Sequence, residues 1–291
     1  MSPTVPHTNS TPTGSRGDAP PSDPLLDVRQ IGISFGGLKA VQQFSLQLPP
    51  GALYGLIGPN GAGKTTVFNL LTGVYRPDCG SMHLSGQNIH GRRPHEITAV
   101  GIARTFQNIR LFPSLSVLDN VRLAGQLRHS SGLLSTLLRT RRHHQCETAV
   151  ESRALELLEI FDLRDRAHEL ACHLSYGHQR RLEIIRALAT GPKVLLLDEP
   201  AAGMNPQEKK SLANSIREIR DRFQLSVLLI EHDMGLVMEI CDRIVVLDHG
   251  QTICEGTPET VQNDPQVITA YLGASQENAA SSAGPSGPAT P

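Results

Sequence analysis

The run Gly58-Pro59-Asn60-Gly61-Ala62-Gly63-Lys64-Thr65-Thr66 fits the spacing G-x-x-x-x-G-K-[ST], which is suited to holding phosphate. Backbone N–H groups of such a loop surround the phosphate oxygens, Lys64 reaches the β and γ oxygens, and the Thr65 hydroxyl meets Mg²⁺. The glycines let the chain turn with positive φ and come close to the ligand, where a Cβ would collide. All nine residues are therefore candidate nucleotide contacts, and Lys64 is also a candidate catalytic group. A second feature is Asp198-Glu199, two acids that close an apolar run and are costly to place there without a cation or a task. Asp198 is a candidate holder of Mg²⁺, directly or through water, and Glu199 a candidate base for an attacking water. An ordinary acidic turn at a strand end is the alternative, and the phosphate loop upstream weighs against it.

These groups need strands and helices to aim them. Leu53-Tyr54-Gly55-Leu56-Ile57 reads as a buried strand feeding the loop. Thr65-Thr66-Val67-Phe68-Asn69-Leu70-Leu71 reads as a helix whose positive N-terminal end faces the phosphates. Three continuous apolar runs end in polar clusters: Val194-Leu195-Leu196-Leu197 before Asp198, Val227-Leu228-Leu229-Ile230 before Glu231-His232-Asp233, and Ile244-Val245-Val246-Leu247 before Asp248-His249-Gly250. Such runs are typical of parallel strands buried on both faces. The alternating stretch from Leu26 to Phe35, a Gly36-Gly37 turn and a second strand near 40–48 predict an antiparallel flank. A short strand-like piece at Met82 and Leu84 leads into a short helix over 94–100. Apolar residues at helical spacing (Val121, Leu127, Leu134, Leu155, Leu158, Phe161) predict a helical subdomain inserted at about 118–190. The expectation is an α/β fold with polar residues gathered at the C-terminal ends of its strands, where ligands bind.

Composition narrows the function classes. Across 291 residues, 27 Lys and Arg balance 28 Asp and Glu, so no general attraction to nucleic acid or anionic lipid is expected. The basic cluster of Arg139, Arg141, Arg142, His143 and His144 reads as a solvated face, because no aromatic interleaving accompanies it. Five scattered cysteines with no CxxC pair suit neither a zinc site nor a disulfide framework. No run approaches the roughly 20 apolar residues that span a bilayer, and the polar N terminus lacks a signal-peptide core. Residues 1–24 and 274–291, rich in Ser, Thr, Pro and Gly, read as disordered tails around one ordered unit at 25–273.

In Leu174-Ser175-Tyr176-Gly177-His178-Gln179-Arg180-Arg181, Ser175 stands where an N-cap would, and Leu182, Ile185 and Leu188 follow at helical spacing. Another helix N terminus is thus available for an anion. This stretch resembles the signature motif of ATP-binding-cassette (ABC) ATPases, and the other motifs of that family occur in order. Arg104-Thr105-Phe106-Gln107 matches its glutamine loop, Ala201-Ala202-Gly203-Met204-Asn205 its dimer-contact loop, His232 its histidine switch, and Phe35 the aromatic that stacks on adenine. The P-loop NTPase fold of that family has a mainly parallel RecA-like sheet, an antiparallel β flank and an inserted helical subdomain. Three positions depart from the general pattern: Tyr176 replaces Gly, His178 replaces Gln and Asn205 replaces Asp. Gly101-Ile102-Ala103-Arg104-Thr105-Phe106-Gln107-Asn108, Glu231-His232-Asp233-Met234 and Ala270-Tyr271-Leu272-Gly273 resemble a subgroup, the first of the two ATP-binding subunits of bacterial branched-chain amino acid importers.

The resemblance implies ATP and Mg²⁺ as cofactors. It assigns adenine to Phe35, Mg²⁺ to Thr65, Gln107 and Asp198, and catalysis to Glu199, His232, Gln107 and Lys64. Ser175 and the Gly177 N–H would act on the nucleotide of a second subunit. Implied partners are two membrane permease subunits, a second ATPase subunit (a related heteromeric partner or another copy) and, indirectly, a periplasmic solute-binding protein. The implied location is peripheral, on the cytoplasmic face of the bacterial inner membrane. ATPases of urea and short-chain amide importers, of lipopolysaccharide export, and non-transport ABC ATPases are the alternatives. A small-molecule kinase would have no use for the signature.

Overall fold

The computed structural model describes residues 23–126 and 141–271. Both expected tails lie outside them, apart from residues 23 and 24, and so do the side chains of the basic cluster at 139–144. A four-stranded antiparallel sheet has the order β2-β1-β4-β5, formed by β1 (Leu26–Phe35), β2 (Leu38–Leu48), β4 (Cys79–Leu84) and β5 (Gln87–Asn88). A six-stranded sheet has the order β10-β9-β3-β8-β7-β6. Its members are β3 (Leu53–Ile57), β6 (Ile102–Arg104), β7 (Val194–Asp198), β8 (Ser226–Ile230), β9 (Arg243–Asp248) and β10 (Gln251–Gly256). Strands β9, β3, β8, β7 and β6 run parallel, and β10 closes the edge antiparallel to β9.

The apolar runs become central strands because both their faces are covered. Alternation sends successive side chains to opposite sides of the sheet. Leu53, Leu195, Leu197, Val227, Leu229, Ile244 and Val246 enter one core, shared with the helices. Tyr54, Leu56, Val194, Leu196, Leu228 and Leu247 enter the other, beneath the antiparallel sheet, with Val67, Phe68 and Leu71 of α1 (Lys64–Leu71). Each fully buried aliphatic side chain contributes about 1.5–3 kcal/mol of transfer free energy. That gain fixes which face of each strand looks which way.

The short helix α2 (Pro94–Val100) forms where the sequence predicts it, with Pro94 in its first turn. The helical subdomain contains α3 (Val117–Gly125), α4 (Arg141–Ile160) and α5 (Tyr176–Ala189). These pack through Val121, Leu157, Leu158, Phe161, Leu182 and Ile185 into the core on the helical side of the parallel sheet. Helix α6 (Pro206–Phe223) starts from a capping box in which Asn205 and Glu208 exchange hydrogen bonds of 3.0 and 2.9 Å. Asn205, a departure from the family pattern, is thus a working N-cap. Two features were not foreseen. β2 begins at Leu38, because Leu38 pairs with Phe35 across the Gly36-Gly37 turn, and the edge strands β6 and β10 are too short or too polar to show an apolar run.

Candidate nucleotide site

The phosphate loop joins β3 to α1, and its glycines are required by geometry. Gly58 has φ 151°, and a Cβ there would lie 2.0 Å from the Leu247 carbonyl oxygen. Gly63 has φ 102°, and a Cβ there would lie 2.7 Å from the Ala40 oxygen. α1 begins at Gly63 with no side-chain cap and no acid in its first turn. By contrast Ser116, Ser175, Asn205, Asp233 and Thr257 cap α3, α5, α6, α7 (Met234–Ile240) and α8 (Pro258–Gln262). An uncapped N terminus behind glycines is suited to an incoming anion. Lys64 is buried, and its ammonium donates to the Gly58 and Pro59 carbonyls at 2.7 and 2.9 Å. Burial pushes its pKa down against the pull of Glu199 and Asp198. Bonded among the described residues to neutral carbonyls alone, this buried cation fits a phosphate group.

The ends of β7 and β8 carry the acids and the histidine. Glu199, just past β7, has φ 48°, a left-handed conformation that costs a non-glycine residue about 1–3 kcal/mol. Its N–H is held by the Ile230 carbonyl at 2.9 Å, which turns its carboxylate out of the sheet. There Gln107 Nε2 donates to Glu199 Oε2 at 3.0 Å, and His232 Nδ1 lies 3.8 Å from Glu199 Oε1. Three candidate residues from distant parts of the sequence therefore meet. Gln107 spends its amide N–H on this bond, so its carbonyl oxygen is chemically suited to a cation. Thr65 is exposed on the first turn of α1. Asp198 Oδ2 accepts Arg104 Nη2 at 2.7 Å with both side chains buried, so water-mediated contact with a cation suits it better than direct ligation. The loop, Thr65, Gln107 and Asp198 together suit a magnesium nucleotide.

Phe35 is 45% exposed and packs edge-on against Tyr75, ring centroids 5.2 Å apart, leaving its ring available for stacking. Ser175 caps α5 by accepting the His178 N–H at 3.4 Å. Among the described residues, neither Ser175 nor Gly177 bonds to the phosphate loop. The sequence reading missed Glu231 and the role of Arg104. Glu231 is 1% exposed; its Oε1 accepts the Ala201 N–H at 2.8 Å and its Oε2 the His232 N–H at 3.3 Å. An acid directly before His232 at the end of an apolar strand was the available signal.

Burial pushes the Glu231 carboxyl above its ordinary value of 4.5. The ionised form is the one burial disfavours, so this group's stabilising contribution is full below that value and is lost as pH rises through the raised value. Glu231→Gln is expected to flatten the stability profile upward of pH 4.5, which melting temperatures of both chains measured from pH 4 to 8 would check. Parallel profiles would show that Glu231 does not titrate in that window.

Known proteins resemble this chain over most of its length. The ABC transporter family model matches residues 41–202, and a branched-chain amino acid ATP-binding cassette transporter model matches residues 251–277. The chain is 47% identical over 252 residues to the high-affinity branched-chain amino acid transport ATP-binding protein LivG of Escherichia coli K12, covering 87% of this chain and 99% of that one. It is 45% identical to BraF of Pseudomonas aeruginosa, with the same coverage, and 34% identical to the lipopolysaccharide export ATP-binding protein LptB of Haemophilus influenzae, covering 86% and 97%. A crystal structure of an ATP-binding cassette of an ABC transporter in its ADP conformation superposes with a TM-score of 0.74 at 30% identity, covering 86% of this chain and 98% of that one. The chain belongs to the ATP-binding proteins of ABC transporters, in the branch of the branched-chain amino acid transport ATP-binding proteins.

Proposed function

We propose that the chain energises uptake of branched-chain amino acids, hydrolysing ATP while paired with a second ATPase subunit beneath two membrane permease subunits. The observation that carries the catalytic part is the meeting of Gln107, Glu199 and His232 beside the buried ammonium of Lys64. Phe35 stacks on adenine, and the 58–66 backbone with Lys64 holds the phosphates. Thr65, Gln107 and Asp198 would hold Mg²⁺, which when bound offsets the charge on the β- and γ-phosphates. Glu199 polarises the attacking water, and His232 keeps that carboxylate and the γ-phosphate in register. The partner subunit supplies its own signature serine and glycine, as Ser175 and the Gly177 N–H of this chain complete the partner's site. Water adds to the γ-phosphorus as its proton passes to Glu199 and the bond to the β,γ-bridging oxygen breaks, leaving ADP and phosphate; release of the phosphate takes away the anion that joins the two subunits, and they reopen.

Coupling to the membrane is assigned to a groove of 460 Å³ between the glutamine loop and the helical subdomain, lined by Phe106, Arg110, Phe112, Leu123, Glu183 and Arg186. Phe112 and Leu123 are 43% and 42% exposed there, and the Arg186 guanidinium lies 4.9 Å from the centre of the Phe112 ring, so the groove offers an apolar floor beside a cation. Among the described residues no helix is long and apolar enough to cross a membrane; in this reading the permease subunits supply the spanning helices. The complex would sit on the cytoplasmic face of the bacterial inner membrane, with a periplasmic solute-binding protein acting through the permeases.

Leucine uptake in Escherichia coli cells lacking LivG tests this reading. Expression of the chain should restore ATP-dependent uptake. If Phe112 is a hot spot of that contact, its loss costs about 2 kcal/mol or more, so Phe112→Asp should lower uptake at least about tenfold while ATP binding by the purified chain is unchanged. An ATP-hydrolysing chain that restores no leucine uptake would overturn the solute assignment.

A further inference from the structure

The backbone after Thr105 leaves the nucleotide core and is taken over by the signature helix. Thr105 N–H still bonds to the Leu196 carbonyl in β7, at 2.9 Å. From there on, one face of α5 supplies the partners. Arg180 Nη1 donates to the Phe106 carbonyl at 2.8 Å, and its Nη2 donates to the Gln107 carbonyl. Glu183 Oε1 accepts the Arg110 N–H at 2.8 Å, and Arg186 donates to the Arg110 carbonyl. Arg180, Glu183 and Arg186 are three residues apart, the spacing that aligns side chains on one helix face. Arg180 is only 4% exposed, and its charge is met by Glu183 at 3.6 Å. Four main-chain groups of the glutamine loop are therefore fixed to α5, while the Gln107 side chain reaches back to Glu199.

The same arginine also holds the signature turn. Arg180 Nε and Nη2 donate to the Tyr176 hydroxyl at 3.1 and 2.8 Å, across one helical turn. The Tyr176 ring lies against Gly203, where an added Cβ would come within 3.1 Å of it. Gly, the residue of the general signature at this position, could make neither contact. One planar guanidinium thus joins the carbonyls beside Gln107 to the residue between Ser175 and Gly177. A Lys ammonium carries its three N–H donors on one nitrogen and lacks the planar fork that spans both carbonyls and the hydroxyl here.

Resting on the catalytic reading above, we propose that Arg180 and Tyr176 are positioning residues that pass the position of Gln107 to the signature turn within one chain. Occupation of the magnesium nucleotide site by ATP shifts Gln107. Arg180 carries that shift to Tyr176 and so sets the orientation of Ser175 and the Gly177 N–H for the neighbouring subunit's nucleotide.

Hydrogen exchange of the full chain, kept dilute enough to stay monomeric by its mass in solution, with and without Mg–ATP, tests the link without a membrane or ATPase partner. In the unmodified chain, segments 58–66, 104–112 and 174–182 should all slow on adding Mg–ATP, the last by about threefold or more. In Tyr176→Phe, which keeps the ring, and in Arg180→Lys, 58–66 should still slow while 174–182 loses its response. Melting temperatures report whether each variant is folded, and Tyr176→Phe alone suffices if Arg180→Lys is not. A purely structural pin would change exchange of 174–182 in the absence of ATP and leave the ATP-dependent difference intact. That result, or a signature segment of the unmodified chain that ignores Mg–ATP while 58–66 slows, would overturn the proposal. No slowing at 58–66 would overturn the nucleotide reading itself, and the coupling with it.

Discussion

Glu199→Gln is expected to lower the rate of ATP hydrolysis by about 10²–10⁴-fold, the usual contribution of a positioned general base, while ATP binding is retained. The side chains are nearly isosteric, so the bond from Gln107 and the approach of His232 can survive, with the amide oxygen accepting from Gln107. What is lost is the negative oxygen that takes a proton from water. Because the left-handed backbone at Glu199 is set by its bond to Ile230, the substitution should not move the turn. A variant that binds but does not hydrolyse should trap the ATP-bound pair. Its mass in solution should therefore rise with Mg–ATP, alone or on adding a related ATPase subunit. Residual activity within about threefold of the unmodified chain would remove Glu199 from the base role, since so small a change is under 1 kcal/mol of barrier. A variant that binds ATP and stays monomeric with every candidate subunit would instead remove the trans role of Ser175 and Gly177.

Arg104→Met is expected to destabilise the fold by about 3–5 kcal/mol, the cost of leaving one partner of a buried ion pair uncompensated. The Arg104 and Asp198 side chains are 6% and 3% exposed. The same guanidinium donates to Asn69 Oδ1 at 2.6 Å and lies over the Phe68 and Phe106 rings at 5.4 and 5.3 Å. It thereby ties α1, β6 and β7 together at the floor of the site. Adding Asp198→Asn removes the orphaned charge, so the double variant should recover part of the loss, a non-additivity that urea midpoints at constant slope would measure. A loss under about 1 kcal/mol for the single variant would show the pair to be solvated, like an exposed salt bridge.

The phosphate loop was legible because its function constrains the local chain. Gly58 and Gly63 are required by positive φ and by carbonyls 2.0 and 2.7 Å from any Cβ, so residue types alone reveal the turn. The parallel strands were legible for a related reason: burial on both faces demands unbroken apolar runs such as Val194-Leu195-Leu196-Leu197. β6 and β10 were not, since an edge strand of three residues, or one with polar exposed positions, carries no such pattern.

By itself, then, the sequence determined the α/β class and pointed to the loop at 58–66 and to the acids closing β7, because each depends on residue type at fixed local spacing; His232 and the signature were pointed to by family resemblance. Only the tertiary structure decided which of them meet. Gln107, Glu199 and His232 are far apart in the chain; the adjacency of β7 and β8, and the hold of Arg180 on the Gln107 backbone, bring Gln107 and His232 within 3.0 and 3.8 Å of Glu199. Tertiary structure also decided that Asp198 is matched by Arg104, that Glu231 braces Ala201, and that Arg180 joins the glutamine loop to Tyr176. Charges and hydrogen bonds act through space over a few ångströms, and no periodicity along the chain records which distant partner will satisfy a buried polar group.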